Sequence, residues 1–299
     1  MSMKHSLRRA VLSFSLFSLF SCNVPIRTSH HKTVTIDENE YEVEVERLVI
    51  GMEADYAPFN WTEAKESSDN LKITNGGGGY AGGYDVYIAK RLSQSLGMEV
   101  DVIKQSFDTL CIDCKVGNIN MILAGMTDTE ERRQSVDFTD EYYRSEVVLL
   151  ARKDISEQYE GKTLSGEDLP SLLKGKNVVS QRTTVEDDMI ASFVRNYSCY
   201  HSPAQETYAL ACKDVENGTA DFLVVELPVA QGYVKSMSGL GIIRLNQDVL
   251  GIDLAQLGVS IGVSKDNPGL KSALNAALKK ITPQERADLM EKAVERSGN

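Results

Sequence analysis

Between Val86 and Leu96 the apolar side chains fall at Val86, Ile88, Ala89, Leu92 and Leu96, the spacing of one helical face, and Gly97 follows where a left-handed cap ends a helix. Short apolar runs flank this stretch, Arg47 to Gly51 before it and Val100 to Ile103 after it. The alternation continues: Phe107 to Leu110 opens a second helix with Asp108 in its first turn, Gly117 ends it, and Met121 to Ala124 is again a strand. Strands alternating with helices predict an α/β fold with a largely parallel sheet, in which ligands bind beyond the carboxyl ends of the strands.

The second half restarts the pattern. Val147 to Ala151 is a strand leaving the first unit and Gly175 to Val179 a strand of the second. Gln181 to Glu186 opens a helix through Met189, Ile190 and Phe193, and Thr207 to Val215 forms another, ended by Asn217 and Gly218. Phe222 to Val225 is a strand that delivers Glu226 at its carboxyl end. Leu257 to Val263 is one more strand, and Leu270 to Val294 is helical with a break near Thr282 and Pro283. Two lobes are therefore expected, 47–148 with 258–299 and 149–257, joined by the strands near Val147–Ala151 and Leu257–Val263. The cleft between them is the default ligand site. Glu63 to Gly83 is polar and Gly-rich without phosphate-loop spacing, and reads as a flexible surface insertion or a hairpin.

The N-terminus carries an address. Lys4, Arg8 and Arg9 precede an apolar run from Val11 to Phe20 that is too short for a bilayer span, so residues 1–22 are expected to be an export signal. Leu19-Phe20-Ser21-Cys22 looks like a bacterial lipobox, which makes Cys22 the expected lipidation site; a plain secretory signal is the rival reading. Residues 23–46 are polar and read as a tether, although Tyr41, Val43 and Val45 alternate with Glu as an edge strand would.

Composition narrows the chemistry. Of 299 residues 42% are apolar, enough for one large or two medium domains, and 32 Lys and Arg stand against 43 Asp and Glu, a net charge of −11. Such a surface does not suit a nucleic-acid backbone, so no nucleic-acid partner is expected. The 4 His show no metal-ligand spacing, and neither a metal nor a cofactor is expected. Cys111 and Cys114 have redox-motif spacing, and packing residues on a helix or a local bridge account for them as well. Cys199 and Cys212 flank a Pro-containing connection and are a candidate disulfide.

Gly125 to Arg132 directly follows a strand. A turn at Gly125 and a helix starting near Thr127 to Thr129, with Glu130 and Glu131 in its first turn, make an anion site of free N–H groups, Thr hydroxyls and an arginine. Each candidate has a plainer reading: Thr127 as a helix cap, Arg132 as an exposed helix residue, Tyr56 and Phe107 as core aromatics, Glu226 as a surface acid. Asp85 reads as a turn or cap residue.

Taken together, Ile50 to Phe59, Gly83 to Val86, Phe107 to Leu110, Ala124 to Arg132 with Val136 to Phe138 and Tyr142-Tyr143, and Ala220 to Ala230 resemble, in order, the family 3 extracellular solute-binding proteins, receptors of polar amino-acid ABC importers. The resemblance implies the two-lobed periplasmic-binding-protein fold of type 2, each lobe a mixed, largely parallel sheet flanked by helices and joined by two hinge strands. It implies Arg132 on the ligand carboxylate, with Thr127 and Gly125 beside it; Glu226 on the ligand ammonium, where the family has Asp; Thr183 and Thr184 in place of a Gly-Thr pair; and Tyr56 and Phe107 around the side chain. It also implies a free amino acid as ligand and an ABC permease in the membrane as partner. The lipobox adds a lipid anchor at a periplasmic or cell-surface location. Glu53 and Asp55 beside Tyr56 point to a lysine- or arginine-like ligand, with a glutamine-like one open. Arg182 would oppose a cation if it faced inward. No enzyme activity is expected; a cyclohexadienyl-dehydratase-like enzyme or a sensor module on the same fold are the alternatives.

Overall fold

The computed structural model describes residues 31–253 and 257–297. It opens with an antiparallel hairpin, β1 (Lys32–Ile36) and β2 (Asn39–Val43), with Lys32 opposite Val43. Asp37 and Glu38 both have positive φ, as a tight hairpin turn requires. Val34, Ile36 and Val43 are buried. The expectation of a tether over 23–46 is thus corrected for 32–43, because the alternating apolar side chains find a helix to cover; residues 23–30 lie outside the described residues, as do Cys22 and the rest of the signal.

The first lobe follows. β3 (Leu48–Met52) leads into a small antiparallel sheet of β4 (Asp55–Tyr56), β5 (Asn60–Glu63), β6 (Leu71–Lys72) and β7 (Tyr80–Gly82), in which β6 and β7 form the expected hairpin with the Gly76 to Gly79 run in the connection between them. Then come α1 (Tyr84–Leu96), capped by left-handed Gly97, β8 (Val100–Lys104), α2 (Leu110–Val116), capped by left-handed Gly117, β9 (Met121–Ile122) and β10 (Asp137–Arg144). The chain crosses at Ser145 and Glu146 into the second lobe: β11 (Val147–Arg152), α3 (Lys153–Ser156), β12 (Thr163–Leu164), α4 (Leu169–Leu173), β13 (Asn177–Val179), α5 (Val185–Tyr197), β14 (Tyr200–His201), α6 (Tyr208–Asn217), β15 (Phe222–Glu226), α7 (Leu227–Ser236) and β16 (Leu240–Leu245). It returns as β17 (Gly258–Val263), α8 (Pro268–Lys279) and α9 (Pro283–Ser297).

Two mixed sheets result, ordered β10-β17-β9-β3-β8 and β12-β16-β11-β15-β13-β14. β3 runs parallel to β8 and β9, and β15 parallel to β13. Both strands that follow a crossing enter a sheet centrally, β11 between β15 and β16 and β17 between β9 and β10. α8 closes the first lobe and supports the hairpin. Gly269 is required there, since a Cβ would collide with the Glu42 carbonyl.

Strand pleating divides the second lobe into two apolar layers. Leu149, Val178, Phe222 and Val224 pack with Ile190, Phe193 and Cys199 on one face, while Val148, Val179, Leu223 and Val225 pack with Ala211, Cys212 and Val215 on the other. The candidate disulfide is therefore corrected: Cys199 and Cys212 are free thiols on opposite faces of a sheet. Cys111 and Cys114 are also free. No helix among the described residues is long and apolar enough to cross a membrane.

Candidate functional site

Strand ends from both lobes converge on one crevice. β3 stops at Met52 and hands Glu53 and Tyr56 to it; the segment after β9 supplies Gly125, Thr127 and Arg132; Phe107 enters from the turn before α2. From the second lobe come Gln181 and Thr184 after β13, Glu186 in the first turn of α5, Tyr208 at the start of α6 and Glu226 at the end of β15. These side chains line one narrow, nearly closed cavity. The position agrees with the rule that α/β sheets bind ligands at the carboxyl ends of their strands.

The loop holding Arg132 differs from expectation. No helix begins at Thr127: residue 127 bridges to Val259 on β17, Ser260 N donates to the Met126 carbonyl at 2.8 Å, and only a single 3₁₀ turn forms at Arg132–Gln134. The strand neighbour thus claims backbone that a helix would need. Arg132 Nη1 donates to the Thr127 carbonyl at 2.7 Å and Nη2 to the Thr183 carbonyl at 2.8 Å. The guanidinium lies 5.3 Å from the centre of the Phe107 ring. A guanidinium has five N–H donors, so donors remain for a ligand anion.

Thr183 has φ +62, a backbone state that favours glycine. Thr184 caps α5, its hydroxyl accepting from Asp187 N at 3.2 Å. Thr183 contributes its carbonyl rather than a wall of the cavity.

Three carboxyl groups share the cavity with this one cation. Glu53 Oε1 accepts from Gln181 Nε2 at 3.0 Å across the crevice, and burial pushes its carboxyl up to about 7. Glu186 accepts from the Tyr208 hydroxyl at 3.2 Å and is likewise raised by burial. Glu226 is raised to about 8, first by burial and then by the charge of Glu186; the Tyr56 hydroxyl bonds it and opposes that rise. Its Oε2 is buried and has no hydrogen-bond partner among the described residues. Among the described residues lining the cavity, Arg132 is the one Lys or Arg side chain. The site is thus short of positive charge and has an acceptor waiting for a donor.

Aromatic rings shape the walls. Tyr56 stacks on Phe59 at 5.1 Å and on Tyr208 at 5.2 Å, the second contact spanning the two lobes. Beneath them, Gly125 N donates to the Tyr142 hydroxyl at 3.0 Å, Tyr142 donates to Asp85 at 2.7 Å, and Asn60 Nδ2 donates to the other Asp85 oxygen at 2.7 Å. Asp85 therefore anchors the floor of the crevice instead of capping a helix. Gly125 has φ +60, and a Cβ there would stand 2.7 Å from the Tyr56 ring.

The sequence points to Glu53, Tyr56, Phe107, Gly125, Thr127, Arg132, Thr183, Thr184 and Glu226 around one ligand, and all of these except Thr183 line the cavity. Asp55 is exposed and does not line it. Arg182 turns to the rim, 3.0 Å from Asp108 and 3.6 Å from Glu206. Gln181, Glu186 and Tyr208 were missed. Glu186 and Tyr208 each sit in the first turn of a helix aimed at the crevice, and that was their available signal. Among the described residues no group of His, Cys, Asp and Glu stands close enough to hold a metal ion.

Comparison with known proteins fits this geometry. The arginine-binding extracellular protein ArtP of Bacillus subtilis is 28% identical over 240 residues, covering 79% of this chain and 80% of that protein. The L-arginine-binding protein of Pseudomonas aeruginosa is 28% identical over 233 residues, covering 77% and 80%. Among solved structures, the substrate-binding protein AbpA of Streptococcus pneumoniae bound to L-arginine shares the fold with a TM-score of 0.68 at 24% identity, over 85% of this chain and 97% of that one. An ancestral arginine-binding protein bound to glutamine matches with a TM-score of 0.63 at 25% identity, over 83% and 97%. The model of one family spans residues 48–295, nearly all of both lobes, and by that match the chain belongs to the bacterial extracellular solute-binding proteins, family 3.

Proposed function

We propose that this protein is the extracytoplasmic receptor of an amino-acid ABC importer and captures a cationic L-amino acid. The observation that carries the reading is the lining of the cavity: three buried acids stand with a single guanidinium, a set that suits a ligand with one anionic and two cationic groups. Arg132, with Thr127, Gly125 and Thr184 around it, takes the α-carboxylate; Glu226 takes the α-ammonium; Glu53, oriented by Gln181, takes the cationic side chain between Tyr56 and Phe107. Relatives named for arginine support the same ligand class.

The ligand contacts both lobes only when they are closed, so its differential affinity shifts the protein toward the closed form, which the permease reads. Export through residues 1–22 and lipidation at Cys22 would hold the receptor at the membrane; Cys22→Ser should move it from the membrane fraction to the soluble fraction. For the ligand, calorimetry with L-arginine, L-lysine, L-citrulline and L-glutamine tests the reading. Arginine or lysine should bind at least about tenfold tighter than citrulline, a difference of roughly 1.4 kcal/mol. Equal or tighter binding of citrulline or glutamine overturns the assignment.

A second reading is favoured by the carboxyl of Glu226, which at about 8 is an acid able to donate a proton near neutral pH. On this reading the protein would dehydrate a prephenate-like acid. The two other buried carboxylates oppose a polyanionic substrate, and a turnover assay on such acids decides between the readings.

A further inference from the structure

Glu186 has no counterpart among the ligand groups assigned so far. It is 4% exposed, lines the cavity and accepts from the Tyr208 hydroxyl at 3.2 Å. Tyr208 stacks across the crevice on Tyr56, whose hydroxyl bonds Glu226, so one aromatic pair connects two acids of the same lobe. Glu226 Oε2 is buried without a partner among the described residues. The charged and titratable groups acting on Glu186 are Arg132 and Tyr208, with the Thr184 hydroxyl beside them. Those acting on Glu226 are Glu186, Tyr56 and Arg132, and its own charge reaches Tyr143 and Tyr208. One guanidinium faces two carboxyls, and an oxygen without a donor marks where further positive charge is to arrive.

We propose that Glu186 and Glu226 jointly receive the α-ammonium of the captured amino acid, and that the pair shares one proton which the ammonium displaces to solvent; this rests on the amino-acid reading above. Before capture the pair carries one proton and one negative charge. Afterwards it carries two negative charges, set against the ammonium and Arg132. Burial, which raises both carboxyls, and the charge of Glu186, which raises Glu226 further, supply the reason for the shared proton. Glu186 is thereby a determinant of specificity for ligands with a free α-amine, and it couples affinity to pH.

Calorimetry of the full chain with L-arginine, in buffers of different ionisation enthalpy between about pH 5.5 and 8, counts the protons released. The wild type should release up to one proton per arginine from this pair, its Kd falling by as much as about tenfold per pH unit. Glu186→Gln should lose that proton, bind nearly as the wild type does at the acid end, and fall behind it by as much as about tenfold for each pH unit above that. A merely structural role would weaken binding equally at every pH. Glu226→Gln should flatten the profile in the same way and serves if Glu186→Gln does not fold. 5-Guanidinopentanoate, which is arginine without its α-amine, should bind without releasing this proton. The proposal is overturned if arginine binds the wild type but Glu186→Gln keeps its proton count and slope, or if 5-guanidinopentanoate releases the same proton. If no amino acid binds the wild type, the amino-acid reading itself fails and takes this proposal with it.

Discussion

The Arg132 side chain donates to the carbonyl of Thr183 at 2.8 Å while its other terminal nitrogen donates to Thr127 at 2.7 Å, so one guanidinium spans both walls of the cleft. A lysine ammonium is a point donor and cannot hold both carbonyls and a carboxylate fork together. Arg132→Lys should weaken L-arginine binding by about 2 kcal/mol or more, roughly thirtyfold in Kd, as measured by calorimetry. Unchanged affinity would remove Arg132 from recognition.

The buried acids set a pH window for stability. Glu226 stands at about 8 and Glu53 at about 7, both above the ordinary 4.5. Groups raised on folding contribute stability that is complete below the unfolded value and lost as pH rises through the folded one. The Tm of the free protein should therefore fall between about pH 5 and 8, and Glu226→Gln should remove part of that fall. Added arginine should stabilise more as pH rises over the same window, because a cation favours the ionised acids. Scanning calorimetry with and without arginine checks both slopes.

Thr183 holds a left-handed backbone with a β-branched side chain, a cost of about 1 kcal/mol that glycine avoids, partly offset by its freer unfolded chain. Thr183→Gly should raise stability by about 0.5 kcal/mol, a degree or two in Tm, and keep arginine affinity, since the carbonyl remains. A lower Tm would mean that the threonine side chain itself supports the turn.

Gly125→Ala should do the opposite. The new Cβ would press on the Tyr56 ring from 2.7 Å at a φ of +60, costing roughly 1–3 kcal/mol. The displaced ring would lose its stack on Tyr208, which near-ultraviolet circular dichroism and an arginine titration would register together.

Gly269→Ala tests the N-terminal hairpin, because a Cβ there collides with the Glu42 carbonyl. Cleavage near the Asp37–Glu38 turn should accelerate in limited proteolysis while the two lobes stay folded. Unchanged cleavage would show that the hairpin is held by other contacts.

Much of the site was legible because its residues follow apolar strands. Met121 to Ala124 and Phe222 to Val225 announce strand ends, and Arg132 and Glu226 lie just beyond them. The Arg132 loop misled, since Gly-Met-Thr-Asp-Thr-Glu-Glu has the residues of a helix start and only the non-local bridge from Thr127 to Val259 prevents one. Glu186 and Tyr208 were hidden for a related reason: an acid in a first helical turn normally serves the helix dipole, and an aromatic there normally packs. Cys199 and Cys212 are near in sequence, but nearness along a chain does not say which face of a sheet each side chain takes.

The hairpin of Lys32 to Val43 sits on α8, which belongs to the lobe that carries Arg132. A force entering from the amino-terminal end is therefore delivered to the half that holds Arg132. The half with Glu186 and Glu226 is reached from that end only through the strands that cross between the lobes.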